Sequence, residues 1–158
     1  MNAVWALDFM HGALYGGRAF RTLNVIDEAN RGGLGIVVAT RIGSRSSSSR
    51  STGHSQAIRC DNGTELTSCV FTEWCQAQDI EMCYVQPGKP DQNAYIERFN
   101  RSYRQEVLNA YLFYSVTEVP HITDDWLRRY NEIRPHDALG SLPPARYREQ
   151  VLEAKTPL

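Results

Sequence analysis

The sequence predicts an α/β domain in which helices pack against a β-sheet. Three short apolar runs precede residue 40 and are separated by Gly-containing turns, a pattern typical of antiparallel hairpins. From Ala57 onward the chain alternates strand, helix, strand and helix patterns, which is typical of a layered α/β fold. The 158 residues, of which 42% are hydrophobic, suffice for one packed domain and are too few for two.

Five apolar segments are the candidate strands of this sheet. They comprise residues 4–9, 19–26, 34–40, 57–60 and 80–85. Asp8 is unusual in the first segment, because acidic residues are depleted in strands and are costly to bury without a partner. Considered alone, Asp8 is interpreted as an exposed residue that ends or interrupts the strand.

Two helices are predicted around the last candidate strand. In residues 67–75, Thr67 or Ser68 can cap a helix whose apolar side chains are three and four residues apart. The second helix cannot begin before about Asp91, because the prolines of the preceding Pro-Gly-Lys-Pro loop disfavour helical backbone. The short polar side chains from Asp91 to Asn93 are predicted to cap its free amide groups.

Four polar residues of this second helix share one face. Glu97, Asn100, Arg101 and Arg104 are three, four and seven residues apart, which is the spacing of neighbours on a helix surface. A carboxylate beside an amide and two guanidinium groups is a poor packing surface. It is a suitable surface for a metal ion and a phosphate backbone.

The C-terminal part is predicted to be helical and extended. Trp126 and Tyr130 are at helical spacing after Pro120 and are interpreted as core residues. His136 is interpreted as a surface loop histidine, and contact with DNA or a metal is the alternative. A last short helix is predicted over residues 146–154.

Residues 41–55, with the sequence RIGSRSSSSRSTGHS, interrupt the pattern of strands and helices. The segment holds seven serines and three arginines, so it cannot bury enough apolar area to offset the entropy of ordering it. We expect a disordered, non-functional loop. The alternative is a basic arm that contacts phosphate.

Charge and composition exclude several classes of protein. The net charge of −1 indicates that any DNA contact comes from arginines gathered on one face. No apolar run approaches the roughly 20 residues of a membrane helix and the N-terminus has no secretion signal, so a soluble, cytoplasmic protein is expected. The four cysteines form no CxxC pair and are expected to be reduced thiols.

Three acidic residues from separate parts of the sequence can converge. Asp8 and Asp61 lie at the ends of strands, and Glu97 projects from the facing helix. Three oxygen donors suit Mg²⁺ or Mn²⁺. Two such ions about 3.5–4 Å apart can promote in-line displacement at a phosphodiester. Without metal, the clustered carboxylates would repel one another and raise at least one pKa.

The blocks WALDFM, NVID, AIRCDNGTE, QPGKP, NAYIERFNRSYRQEVL and YNEIRPHDALG follow one another along the chain. Between Asp61 and Glu97 lie 35 residues, and Arg104 follows Glu97 by seven. These features resemble the integrase catalytic core of insertion-sequence transposases with a D,D-35-E signature. The resemblance implies an RNase H-like fold with a mixed five-stranded sheet flanked by helices. It also implies two divalent ions, 3′-end cleavage of transposon DNA and strand transfer.

The resemblance also assigns roles to individual residues. It implies that Asp8, Asp61 and Glu97 are the catalytic metal ligands. Asn100 and Arg104 would orient Glu97 or contact DNA. Further DNA contacts are predicted for Lys89, Asn93 and Arg101. The implied partners are transposon-end and target DNA, with further copies of the chain assembled on that DNA.

The chain departs from the pattern of this transposase family at three places. Gly12 occupies a position where related transposases often have an acidic residue. The sequence begins seven residues before Asp8, so the upstream helical DNA-binding region is expected to be absent. The Arg/Ser loop replaces an amphipathic helix, and residues 36–38 are therefore expected to be exposed to water.

We interpret these departures as signs of a truncated or degraded transposase. The catalytic core is assigned to residues 1–118 and a C-terminal tail that packs on it to residues 119–158. The hypothesis is that residues 41–55 arose by a frame slip, which translation of the other two frames would test. The alternative function is a non-catalytic RNase H-like module that binds DNA or the intact transposase.

Overall fold

A mixed five-stranded sheet forms the centre of the structure, a computed structural model that describes residues 4–39, 56–61, 76, 80–86 and 93–154. The strands are β1 (Val4–Ala13), β2 (Ala19–Asp27), β3 (Gly33–Ala39), β4 (Ala57–Cys60) and β5 (Glu81–Tyr84). Their order in the sheet is β3-β2-β1-β4-β5. The pairs β1–β2 and β2–β3 are antiparallel, and β1–β4 and β4–β5 are parallel. The predicted mixed five-stranded sheet is confirmed.

The helices of the described part follow the fifth strand. They are α1 (Ala94–Tyr103), α2 (Glu118–Glu132) and α3 (Pro144–Ala154), and a π-helical turn (Arg104–Leu108) continues α1. A 3₁₀ turn, Asp137–Leu139, precedes α3. None of these helices is long and apolar enough to cross a membrane. The helix predicted over residues 67–75, the Arg/Ser loop with its frame-slip hypothesis, and Lys89 all lie outside the described residues.

The first strand is longer than predicted. It runs through Asp8 to Ala13, and Gly12 pairs with Phe20 on β2. A Cβ atom at Gly12 would overlap the Phe20 ring, which is itself buried and packs edge-on against Phe113. Gly12 therefore belongs to the strand, where it leaves room for an aromatic ring, and a larger side chain there would collide with Phe20.

One face of the sheet packs against α1 and α2. Side chains alternate along a strand, so Ala6 and Met10 of β1 lie on this face, with Phe20 and Ile26 of β2. The helices contribute a group of buried aromatic and aliphatic residues. These are Ile96, Phe99, Tyr103, Val119, Trp126 and Tyr130. The interpretation of Trp126 and Tyr130 as core residues is confirmed.

Strand β3 follows the same alternation. Ile36 and Val38 are partly buried and pack against the helix-side core. The expectation that residues 36–38 are exposed to water is therefore wrong for these two residues. Near the start of β3, the side chain of Asn131 donates to the carbonyl of Gly33 and accepts from its amide, at 2.8 and 2.9 Å. These two bonds attach α2 to the strand.

The opposite face of the sheet has a smaller apolar cluster among the described residues. Leu7, Ile58 and Cys60 are buried there. Further side chains are only partly buried. They are Trp5, Phe9, Leu23, Val25, Ile80 and Met82. Cys83, on β5, is a partly buried free thiol.

His136 is buried, so its interpretation as a surface histidine is wrong. Its ring stands edge-on to Tyr130, with centroids 4.9 Å apart, and its backbone pairs with Leu142. Burial lowers the pKa of His136, and the positive charges of Arg134 and Arg98 lower it further. The histidine thus ties the C-terminal turn to α2. Helix α2 shares one core with the sheet, while the division of the chain at residue 118 stays a prediction.

Candidate active site

Asp8 lies in the middle of β1, and its side chain is half-buried. The prediction that Asp8 ends or interrupts the strand is therefore wrong. Asp8 is directly opposite Asn24 of β2 and lies on the face that α1 covers, like Ala6 and Met10. A carboxylate here is surrounded by a helix and two neighbouring strands rather than by water.

Asp61 is brought beside Asp8 by the parallel pairing of β1 with β4. Ala6 is in register with Arg59, so two residues further along both strands the register reaches Asp8 and Asp61. Asp61 follows the last residue of β4 and is exposed. The pairing thus brings the two aspartates near each other at the end of the shorter strand, close enough for the charge of Asp61 to act on Asp8.

Glu97, on α1, approaches Asp8 from the helix side. It is exposed and lines, together with Asp8, an open pocket of about 400 Å³. Arg101 and Arg104 line this pocket as well, and Arg104 donates from Nη2 to the carbonyl oxygen of His11 at 3.2 Å. Two guanidinium groups therefore lie at the rim of a pocket that contains two carboxylates.

Asn100 points inward rather than toward the solvent. It is 7% exposed, and its Nδ2 donates to Oδ2 of Asp8 at 2.7 Å. Its Oδ1 accepts from Nδ2 of Asn24, also at 2.7 Å. The expectation that Asn100 orients Glu97 or contacts DNA does not match these contacts, because the partner of its amide is Asp8.

Asn24 is a site residue that the sequence reasoning missed. It is fully buried and occupies the helix-covered face of β2, on which Phe20 and Ile26 are apolar. An amide that interrupts an apolar alternation opposite an acidic residue of the neighbouring strand is the signal that could have identified it.

The environment of Asp8 raises its pKa to about 6, mainly because burial disfavours the charged carboxylate. The negative charges of Asp61 and Glu97 raise it further. Hydrogen bonds from the Phe9 amide, at 2.8 Å, and from Asn100 act in the opposite direction. Asp61 and Glu97 are thus close enough to Asp8 to repel its charge.

The remaining predicted DNA contacts are only partly described. Asn93 precedes α1 and is 9% exposed. Its side chain makes no capping hydrogen bond, and its Oδ1 has no partner among the described residues. The capping prediction is therefore wrong for Asn93, and its burial leaves little surface for DNA. Within the same described residues, no group of three or more His, Cys, Asp or Glu side chains is arranged to hold a metal ion.

The family model described as "Integrase core domain" matches residues 78–144. This segment includes all of β5, α1 and α2, and with them Glu97. This part of the chain is therefore similar to an integrase core domain.

Relatives of this chain occur in bacterial insertion elements. The chain is 38% identical over 154 residues to a 39.2 kDa protein of insertion element IS476 from Xanthomonas euvesicatoria. It is 36% identical over 152 residues to a 31.7 kDa protein of IS407 from Burkholderia multivorans. Each alignment covers 92% of this chain, with 44% of the first relative and 55% of the second. The chain therefore spans about half the length of these curated relatives.

Retroviral integrases share the fold. The HTLV-2 integrase catalytic core domain, solved in complex with magnesium, superposes with a TM-score of 0.64. The superposition covers 92% of this chain and 95% of that one, at 16% sequence identity. This likeness confirms the RNase H-like fold that the sequence motifs implied.

Proposed function

We propose that the chain is the catalytic core of a DNA transposase, a polynucleotidyl transferase that cleaves 3′ ends at transposon termini and joins them to target DNA. The observation that carries the proposal is that Asp8 and Glu97 line one pocket, with Asp61 near enough to Asp8 for its charge to raise the pKa of that carboxyl. The negative charges of Asp61 and Glu97 both raise the pKa of Asp8. The integrase core domain and the relatives in insertion elements support the same reaction class.

The donor set fits divalent metal ions in its chemistry. Three carboxylates provide hard oxygen ligands of the kind that Mg²⁺ or Mn²⁺ bind. A buried carboxylate with two like charges beside it is costly without a cation. Asp8, Asp61 and Glu97 are the proposed ligands of two such ions. Bound metal would supply Lewis-acid stabilisation of the attacking and leaving oxygens of a phosphodiester.

The protein's own residues have separate tasks in this proposal. The carboxylate of Asp8 is held at both oxygens, by the Phe9 amide and by Asn100, so its direction is determined before any ligand enters. Arg101 and Arg104 line the pocket and are the proposed contacts to the phosphates that flank the reacting one. Lys89 is proposed as a further contact from the loop before α1.

DNA binding by this surface is local. The whole chain has a net charge of −1, so long-range attraction to DNA is weak. Guanidinium groups within the pocket can still pair with phosphate oxygens in a bidentate manner. Assembly of several copies on transposon ends is the proposed working form.

The test is a Mg²⁺-dependent joining assay on labelled DNA that carries the ends of the host element. Glu97→Gln should lower joining by about 100-fold or more, which corresponds to the loss of several kcal/mol of transition-state stabilisation. Glu132→Gln removes an exposed carboxylate at the end of α2 and should leave joining unchanged.

The assay also separates catalysis from binding. Equal joining by Glu97→Gln and the wild-type chain would remove Glu97 from the mechanism. If the chain retains transposon-end DNA on a native gel but joins no DNA, it is instead a non-catalytic DNA-binding module.

A further inference from the structure

A chain of two amides crosses the helix-covered face and ends on Asp8. Asn24 on β2 donates to Asn100 on α1, and Asn100 donates to Asp8 on β1, each at 2.7 Å. The contacts join residues 76 and 92 positions apart in the sequence. The three elements that surround the pocket are therefore connected through side chains as well as through packing.

The direction of the hydrogen bonds in this chain is determined by its last member. An ionised carboxylate only accepts hydrogen bonds, so Asn100 must turn its NH₂ group toward Asp8. The Oδ1 of Asn100 then faces the opposite way and needs a donor. Asn24 supplies that donor from Nδ2. An acceptor at position 24 would favour the reversed amide, with Oδ1 of Asn100 against the Asp8 carboxylate.

Packing does not explain an asparagine at position 24. Its side chain is fully buried, and its own Oδ1 has no partner in the part of the chain that is described. A buried acceptor without a partner is unfavourable. The Nδ2 group of Asn24 donates to the Met10 sulfur at 3.1 Å as well as to Asn100. The side chain is therefore used through its donor group, and the bond to Asn100 is the one that leads to Asp8.

We propose that Asn24 is a positioning residue that sets the orientation of the Asn100 amide and thereby holds Asp8 toward the pocket. The Phe9 amide holds Oδ1 of Asp8, and Asn100 holds Oδ2. Asn24 makes this second contact directional. The two hydrogen bonds give the geometry of this arrangement. Its purpose, to position a metal ligand for catalysis, rests on the proposed function.

The orientation can be read directly by NMR on the full chain. In the wild type, the side-chain NH₂ protons of Asn100 should show cross-relaxation to β1 around Asp8 and slow exchange with solvent. Asn24→Asp keeps the shape of the side chain and, at a pH high enough to ionise this buried carboxyl, replaces the donor by an acceptor, so at that pH these protons should instead show contacts to residue 24. Asn131→Asp is the matched control, because it makes the same change at Gly33 and should leave the Asn100 signals unchanged.

Metal binding gives a second measurement that does not need catalysis. Asn24→Leu removes the donor without adding a charge, and Mn²⁺ affinity measured by calorimetry should fall about 10- to 100-fold, the usual effect of losing a partner of a metal ligand. In an Asn100→Ala background the same substitution should cause no further loss, since Asn24 acts through Asn100. Thermal unfolding of each variant establishes that it is folded.

Several results would overturn the proposal. They are unchanged Asn100 contacts in Asn24→Asp, a Mn²⁺ affinity of Asn24→Leu within twofold of wild type, or additive losses in the double variant. A wild-type chain that shows the predicted amide orientation and Mn²⁺ binding but joins no DNA would contradict the proposed function. The positioning role of Asn24 would then still stand.

Discussion

The two faces of the sheet differ in what they bury. The face under α1 and α2 contains the buried amides of Asn24 and Asn100 and the half-buried carboxylate of Asp8. The opposite face carries a smaller apolar cluster whose members are mostly only partly buried, and the buried carboxylate of Asp27 lies beside it, opposite Trp5. Both faces thus bury a polar group, but the chain of amides lies under the helices.

This difference follows from hydrogen bonding. A buried polar group is tolerated when a partner satisfies it, and α1 brings Asn100 between the strands to bridge Asn24 and Asp8. On the opposite face, the buried carboxylate of Asp27 accepts from the amide of Ala29, only two residues further along the chain. The helix-covered face therefore combines the main core with the candidate active site. Damage to its packing and damage to its chemistry should be separable by substitution.

The largest expected effect compares two neighbours on β2. Ile26 is 1% exposed on the helix-covered face, and Val25 is partly buried on the other. Ile26→Ala should lower the free energy of unfolding by about 2–5 kcal/mol. Val25→Ala should lower it by about 1 kcal/mol, because it removes less buried apolar surface. Urea denaturation measures both, and equal losses would show that the two faces contribute alike.

A smaller effect is expected from Gly12, which tests how tightly the helix-covered face is filled. Gly12→Ala places a methyl group against the buried Phe20 ring and should destabilise the fold by about 1–3 kcal/mol. Phe20→Leu in the same chain should make the alanine less costly. Gly16→Ala is the control, because no atom lies within 4 Å of a Cβ at that position. The packing explanation fails if the two alanine variants are equally stable.

The smallest effect concerns His136, at the outer edge of the same face. Its pKa in the folded chain is lowered by burial and by Arg134 and Arg98, so the unfolded chain binds a proton more readily. The contribution of His136 to stability should therefore fall as the pH drops from about 7 to 5, by less than about 1 kcal/mol. His136→Phe should lose less over this range.

The comparison between wild type and variant is needed because Asp8 titrates in the opposite sense. Its raised pKa makes the folded chain the better proton acceptor below about pH 6, so acid favours folding at that site. His121→Gln, at an exposed position on α2, should keep the wild-type profile. A His136→Phe profile that matches the wild type would exclude the histidine as the cause.

Local patterns predicted the elements of the fold more successfully than the contacts between them. Strand β4 has its predicted bounds, residues 57–60, because a short apolar run there ends at a clear turn signal. The sequence predicts that β1 ends before Gly12, because glycine is typical of turns. In the structure the strand continues through Gly12, which leaves room for the Phe20 ring. The inward direction of Asn100 depends on Asn24, 76 positions away. No local spacing carries that information.

The site residues divide in the same way. The motif spacing singled out Asp8, Asp61 and Glu97, and in the structure Asp61 and Glu97 each lie within electrostatic reach of Asp8. Their shared role as metal ligands stays a prediction. Burial of Asn93 and His136 was missed, because both look like polar loop residues in the sequence. The surroundings that bury them come from residues distant in the local pattern, as with the Tyr130 ring beside His136.

The location of Asp8 inside a long hairpin has one further consequence. Nine residue pairs align β1 with β2, and a slip of a single pair would turn the carboxylate to the side of Leu23 and Val25. Insertions between the two strands that kept the hairpin aligned would leave this acid in place, whereas one within β1 would misdirect it at once. Length variation in this family should therefore concentrate in the turn that follows Ala13 and spare the ladder before it.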